Sequence, residues 1–122
     1  MKYNIPYAVN ELKPGAEFIF SGDQFDYSGL TWLDSKQTQP TETEVNSKIS
    51  ELDRAEPMRL LRIERNARIA LTDWRASSDL TLSNAWKTYR QALRDLPASA
   101  TPKLKSDYEL DLTSVTWPTE PS

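Results

Sequence analysis

The sequence predicts a mainly α fold: an antiparallel helical hairpin with a small N-terminal β-hairpin and an extended, proline-rich C-terminal segment. A capping box at Thr41–Glu44, followed by apolar residues at every third or fourth position, predicts the helical part. β-prone and aromatic residues cluster before this box, and four of the eight prolines lie in the last 26 residues. We therefore divide the chain into a β region at 1–41, a helical hairpin at 42–96 and an extended segment at 97–122.

Two short β-prone runs predict the N-terminal hairpin. Residues 16–20 follow a Lys-Pro-Gly turn signal, and residues 30–33 begin directly after a Ser-Gly pair. Alternation places Leu30 and Trp32 on the same face of the second strand. Because an isolated hairpin is marginally stable in water, we expect this one to pack on the helices or on a partner.

The first helix of the predicted helical hairpin begins at the capping box, where Thr41 and Glu44 can exchange side-chain and backbone hydrogen bonds. Its apolar stripe has a polar break at Glu56 and keeps its phase across Pro57. A proline inside a helix costs about 3 kcal/mol and bends the helix, so one kinked helix is favoured and two helices are the alternative. The apolar stripe comprises Val45, Ile49, Leu52, Leu60, Ile63, Ala67, Leu71 and Trp74.

The second helix is expected to begin after a cap at Thr81 or Ser83 and to stop at Asp95–Pro97. A link of about six residues (75–80) suits an antiparallel pair of helices. Trp74 and Trp86 would then meet near the turn. The predicted core of the helical hairpin is Ile63, Leu71, Trp74, Trp86, Tyr89 and Leu93.

The composition argues against an enzyme. The chain has no cysteine and no histidine, which excludes disulfides, thiolate nucleophiles and every site built on imidazole. The three glycines form no phosphate-binding motif, so we expect no catalytic site, no cofactor and no metal.

The 15 basic and 18 acidic residues give a net charge of -3, which does not suit a nucleic-acid partner. No apolar run reaches the length of a membrane span, and no secretory signal is evident, so we expect a cytoplasmic protein without a membrane partner.

Four arginines at a spacing of three, Arg59, Arg62, Arg65 and Arg68, form what we call the arginine ladder, predicted along one side of the first helix. Residues 57–94 hold eight basic and three acidic residues, a local charge of +5. The ladder could be a solvated face paired with nearby acids such as Glu64, or it could bind an acidic protein or a nucleic acid. Among the binding roles, we predict that it contacts a protein partner.

A closing segment, Trp117-Pro118, lies outside both helical stripes. The tryptophan is an anchor either onto its own domain or into a partner. An alternating apolar run over 108–117 could add a strand, which favours the first alternative slightly. We nevertheless include Trp117 and Pro118 with the arginine ladder in the predicted partner-binding surface.

Three segments together resemble a known family. Residues 65–74 end in Thr-Asp-Trp, residues 86–97 contain Tyr-Arg-Gln and end in Asp-Leu-Pro, and Trp117-Pro118 closes the pattern. In this order and spacing they resemble the small tail assembly chaperones of tailed bacteriophages over about half of the chain. The closing pattern is also shared by the tail fibre assembly proteins of these phages. The polar link before Trp117 is longer than the family pattern leads us to expect.

The resemblance implies a function in virion morphogenesis. It implies a non-catalytic assembly chaperone or accessory protein that binds a phage tail or tail-fibre protein, in the host cytoplasm, while the particle is built. The alternative is a structural virion component, a small tail- or fibre-associated subunit retained in the mature particle.

Overall fold

The computed structural model describes residues 2–76 and 81–121. Within these residues the chain is mainly helical, with three α-helices and one antiparallel pair of strands, so the predicted fold class is confirmed. It forms two compact units, Met1–Ala55 and Glu56–Ser122. In chain order the main elements are α1 (Ile5–Leu12), β1 (Phe18–Phe20), β2 (Leu30–Trp32), α2 (Glu42–Ala70) and α3 (Asn84–Ser99).

The first helix, α1, was not predicted from the sequence. Asn4 caps it by accepting a hydrogen bond from the backbone amide of Tyr7 at 3.0 Å, and a proline stands in its first turn. Ile5, Ala8 and Val9 are buried at helical spacing. The sequence does contain signals for this helix: an asparagine cap, a proline in the first turn and apolar residues at positions i, i+3 and i+4.

The β-hairpin forms where it was predicted. Phe18 pairs with Trp32 and Phe20 with Leu30, and these four side chains are half-buried on one face. They pack against the core of the first unit, which α1 and the start of α2 supply. The buried residues of this core are Ile5, Ala8, Val9, Val45 and Ile49. The expectation that the hairpin packs on helices is therefore confirmed.

Helix α2 begins at the predicted capping box. The Glu44 amide donates to the Thr41 hydroxyl at 3.1 Å, and the Thr41 amide donates to the Glu44 carboxylate at 3.0 Å. The hydrogen bond from the Thr41 backbone is the main reason that the pKa of Glu44 lies below its ordinary value. Deeper in the helix, the carboxylate of Asp53 accepts from the backbone amides of Lys2 and Tyr3, each at 3.2 Å, and so binds the start of the chain.

Helix α2 continues through Pro57, so one helix forms rather than two. The prediction of an unbroken apolar phase is wrong, however. After Pro57 the fully buried residue is Leu61, which is outside the predicted stripe, whereas Ile63 is 54% exposed. Glu56, taken as a polar break, is itself buried. The phase changes because the two halves of α2 belong to different compact units, each with its own core.

Helix α3 begins after Ser83, whose hydroxyl accepts from the Trp86 amide at 3.3 Å. This decides between the two predicted caps. The helix does not stop at Asp95–Pro97 but continues to Ser99. Proline is tolerated there because it lies in the last turn, where it removes a single helical hydrogen bond, and the Ala100 amide still donates to the Leu96 carbonyl at 3.0 Å.

Contacts along α2 and α3 show that the two helices are antiparallel. Leu61 packs in one cluster with Leu96, near the C-terminal end of α3. Ile69, eight residues later on α2, packs against the cluster of Trp86, Tyr89 and Leu93, and its carbonyl accepts from Arg90, all nearer the N-terminal end of α3. The order along one helix is the reverse of the order along the other, as the predicted helical hairpin requires. Residues 77–80 of the predicted link lie outside the described residues.

The predicted core of this helical hairpin is half correct. Trp86, Tyr89 and Leu93 on α3 are buried. Leu71 and Trp74, like Ile63, are not core residues, because their side chains are 75% and 58% exposed. In their place, Met58, Leu61 and Ile69 contact the buried residues of α3 and of the C-terminal segment.

The segment after α3 has little regular structure in the described residues. A single bridge joins Leu104 and Leu110, and a short 3₁₀ turn covers Leu112–Ser114. The strand considered for 108–117 is absent from this part of the chain. Tyr108, at the tight turn between the bridge residues, has a positive φ of 67°, a conformation that is unfavourable for a bulky side chain.

The corrected core of the second unit can be tested with two neighbouring substitutions. Leu61→Ala should lower the free energy of unfolding by about 2–5 kcal/mol, because it removes a fully buried side chain. Ile63→Ala is the matched control and should cost much less, since that side chain is more than half exposed. Urea unfolding of both variants measures the difference; equal losses would contradict the assignment of Leu61 to the core.

The capping box gives a second prediction. Thr41→Ala removes the hydroxyl that accepts from the Glu44 amide and should cost about 0.5–2 kcal/mol of stability. Thr41→Ser retains a hydroxyl cap and should recover most of this loss. Thermal unfolding followed by circular dichroism measures both variants, and an alanine variant as stable as the parent would show that the box contributes nothing.

Candidate partner-binding surface

The arginine ladder does not lie along one side of α2. A step of three residues falls about 60° short of a full turn, so four such positions spread over about half of the helix circumference. Arg59 and Arg62 are exposed, whereas Arg65 and Arg68 are half-buried. The four cations therefore meet different surroundings.

Arg59 pairs with the buried Glu56 one turn earlier. Its Nε donates to the Glu56 carboxylate at 2.6 Å, and a terminal nitrogen contacts the same oxygen. The Glu56 side chain is 0% exposed, while that of Arg59 is 53% exposed. A buried carboxylate is costly unless a cation and hydrogen bonds compensate for its lost hydration. Arg59 supplies that compensation from the solvent side.

Arg65 and Arg68 join parts of the second unit to one another. Arg65 donates to the backbone carbonyl of Arg94 on α3 at 3.2 Å. Arg68 forms an ion pair with Glu64 at 3.0 Å, and its guanidinium lies 4.0 Å from the ring centroid of Trp117. Of these contacts, the Arg68–Glu64 ion pair is the pairing with a nearby acid that the sequence left open. Arg62 is the ladder member without an ion pair or side-chain hydrogen bond in residues 2–76 and 81–121.

Trp117 anchors the C-terminal segment onto its own unit. Its ring packs against both apolar clusters of the unit, one containing Leu61 and the other Leu93. Its indole N–H donates to the Leu112 carbonyl at 3.1 Å. Of the two alternatives drawn from the sequence, the contact with its own domain is therefore present. Pro118, the next residue, is half-buried and lines a cavity of about 630 Å³ together with residues of α3.

Asp111 stabilises the turn that holds Leu112 in place. Its carboxylate accepts from the hydroxyl and the amide of Thr113, at 2.6 and 3.0 Å. The hydroxyl hydrogen bond is the main cause that holds the pKa of Asp111 below its ordinary 3.8. A lowered folded-state pKa means that the stabilisation is present well above pH 3.8 and is lost as the pH falls from there through the folded-state value.

Large apolar side chains lie exposed on the second unit. Leu71 and Trp74 follow the end of α2, and Ile63 and Leu112 line a groove of about 480 Å³. The sequence predicted that Ile63, Leu71 and Trp74 belong to the core, so it did not predict that these side chains are exposed. Their helical spacing gave no indication of exposure, because a surface apolar residue and a core residue have the same periodicity.

Neither a metal site nor a membrane span emerges from the described residues. No cluster of three or more acidic residues in them is placed to hold a metal ion. No helix among them is long and apolar enough to cross a membrane.

Comparison with known proteins identifies the family. The family model for the phage tail assembly chaperone protein matches residues 58–122, more than half of the chain. The chain belongs to the phage tail assembly chaperone family. The resemblance recognised from the sequence motifs is thereby confirmed, and the family match coincides almost completely with the second compact unit. No curated protein and no solved structure gives a significant match.

The anchoring role of Trp117 gives a prediction for this family member. Trp117→Ala should cost about 3 kcal/mol, near the low end for a large aromatic residue because the ring is only half-buried. Trp117→Phe keeps a packed ring but loses the hydrogen bond to Leu112, and should cost about 1 kcal/mol. Denaturant unfolding measures both losses. If the alanine variant is as stable as the parent, Trp117 does not anchor the segment.

Proposed function

We propose that the chain binds a tail or tail-fibre protein while the phage particle is assembled, and that it does so without catalysis. The match to the phage tail assembly chaperone family supports this proposal, and it covers nearly all of the second compact unit. That unit also exposes large apolar side chains, Leu71 and Trp74 most of all. Exposed apolar surface of this kind is typical of proteins that bind other proteins.

Tail and fibre proteins present surfaces that need such a partner before assembly is complete. Long chains with many non-local contacts fold slowly and expose apolar surface and unpaired strand edges on the way. A small protein that covers these surfaces reversibly lowers the concentration of aggregation-prone species. Such a protein requires apolar area for contact and charged groups that orient it on its partner, and both are found on the second unit.

Within the predicted surface, Arg62 and Pro118 are the residues best suited to a direct contact. Arg62 is exposed and has no ion pair or side-chain hydrogen bond to give up within the described residues. Pro118 lines an open cavity next to α3. Arg59, Arg65, Arg68 and Trp117 support this surface through their contacts within the unit. Arginine and tryptophan are also enriched at the energetic centres of protein interfaces.

We place this function in the host cytoplasm during assembly, with a protein partner rather than a nucleic acid or a membrane.

Co-expression with tail and tail-fibre proteins of the same phage should raise the soluble yield of the partner, and the two chains should co-purify. Soluble, correctly assembled partner in the complete absence of this chain would contradict the proposal. Mass spectrometry of purified virions distinguishes a transient chaperone, which is absent from them, from a retained structural subunit.

Charge reversal tests the contribution of Arg62. Arg62→Glu should leave the helix content unchanged and weaken co-purification, with a larger effect at low salt where charge interactions are less screened. Arg54→Glu, an exposed position on the same helix but in the first unit, is the matched control. If the two variants retain the partner equally well, Arg62 is not part of the interface.

A further inference from the structure

A second binding feature lies where α2 ends and α3 begins. The guanidinium of Arg75 lies 4.4 Å from the ring centroid of Trp74 and 3.8 Å from that of Trp86. Two tryptophan rings thus contact one arginine. Stacking on aromatic rings restricts a guanidinium group but leaves its N–H groups able to bind an acceptor.

Arg75 has no anionic partner in residues 2–76 and 81–121. The nearest acid along this part of the chain, Asp73, forms an ion pair with Arg90 at 3.0 Å. Arg90 also donates to the Thr72 hydroxyl at 2.6 Å, which fixes this arrangement. The carboxylate two residues away is therefore committed elsewhere, and the Arg75 charge remains without a counterpart among the described groups.

The surroundings of Arg75 form an open cavity of about 320 Å³. Its walls are largely apolar and include the hydroxyl residues Thr81 and Ser83, and Trp74 is 58% exposed beside it. Leu71, three residues earlier, is 75% exposed. The lining residues are Trp74, Arg75, Thr81, Leu82, Ser83 and Trp86. A ligand that fits this chemistry carries a carboxylate for Arg75 and an apolar side chain next to it.

We propose that this cavity, the Arg75 site, binds an acidic segment of the partner protein in which a glutamate or aspartate neighbours an apolar residue. The local excess of basic residues over 57–94 provides the complementary charge. The identification of the segment with a tail or tail-fibre protein rests on the proposed function. The site itself rests on the geometry of Arg75 and its two tryptophans.

A defined peptide tests the site without knowledge of the natural partner. The probe is a blocked octapeptide of alternating glutamate and leucine, and its binding is followed by tryptophan fluorescence. We expect saturable binding that is at least about tenfold weaker when lysine replaces glutamate, as for loss of a charge-assisted hydrogen bond. Absence of saturable binding, equal binding of both peptides, or tighter binding of a single-stranded oligothymidine would overturn the proposal.

Variants locate the effect at Arg75. Arg75→Gln should weaken binding of the acidic peptide by about tenfold or more, whereas Arg75→Lys, which keeps the charge but not the planar fork, should give a smaller loss. Arg94→Gln removes an equal charge from an exposed position two turns beyond Trp86 on α3 and should change affinity less than about twofold. Circular dichroism establishes whether each variant is folded. If Arg75→Gln does not fold, the affinity of Arg75→Lys for the peptide tests the site instead. Unchanged affinity in the folded Arg75 variants would overturn the proposal.

Co-purification with the natural partner separates this inference from the proposed function. If the parent chain retains a tail or fibre protein and Arg75→Gln retains as much, the Arg75 site is not the contact and the proposed function stands. If the parent retains none while the peptide results hold, the proposed function fails and the site stands as a receptor for acidic segments.

Discussion

The ring of Trp117 holds the second unit together. It contacts the cluster around Leu61 on one side and the cluster around Leu93 on the other, and Arg68 lies over its face. Two antiparallel helices bury only a narrow seam between them, and each cluster has just three buried residues. A tryptophan brought in from the end of the chain supplies the additional apolar area that so small a core needs. The irregular segment before it is thereby fixed to the helices.

Local rules predicted a large part of this fold. The capping box, the two strands and the cap of α3 depend on residues within a few positions of each other; the box and the strands formed as expected, and Ser83 is one of the two caps that the sequence offered for α3. Helix α1 was overlooked although its signal is equally local, because the aromatic and turn residues around it suggested a β region. Pro97 was predicted to end the helix, but in the last turn a proline costs the helix little stability.

Non-local packing explains what the sequence could not predict. The periodicity of α2 assigns Ile63 and Leu71 to a core, but which side of a helix is buried depends on what packs against it, and the packing partners change after Pro57. The arginine ladder shows the same limit. Equal spacing suggested equal roles, whereas Arg59 compensates a buried carboxylate and Arg68 lies over a ring contributed by a residue 49 positions later. Arg75, which is outside the ladder, is the cation that lies over the rings of two tryptophans.

Pro57 has a consequence for the cooperativity of α2. Proline has no amide hydrogen, so the carbonyl of Asp53 lacks its usual helical donor, and the row of hydrogen bonds along the helix is interrupted there. Helical order spreads from turn to turn through these bonds, and an interruption lets the segments on either side fray separately. Amide hydrogen exchange should therefore divide α2 into two protection blocks that meet near Pro57, close to where the two compact units divide. A single continuous helix thus contains one local interruption of its hydrogen bonding, near the residue where the compact units divide.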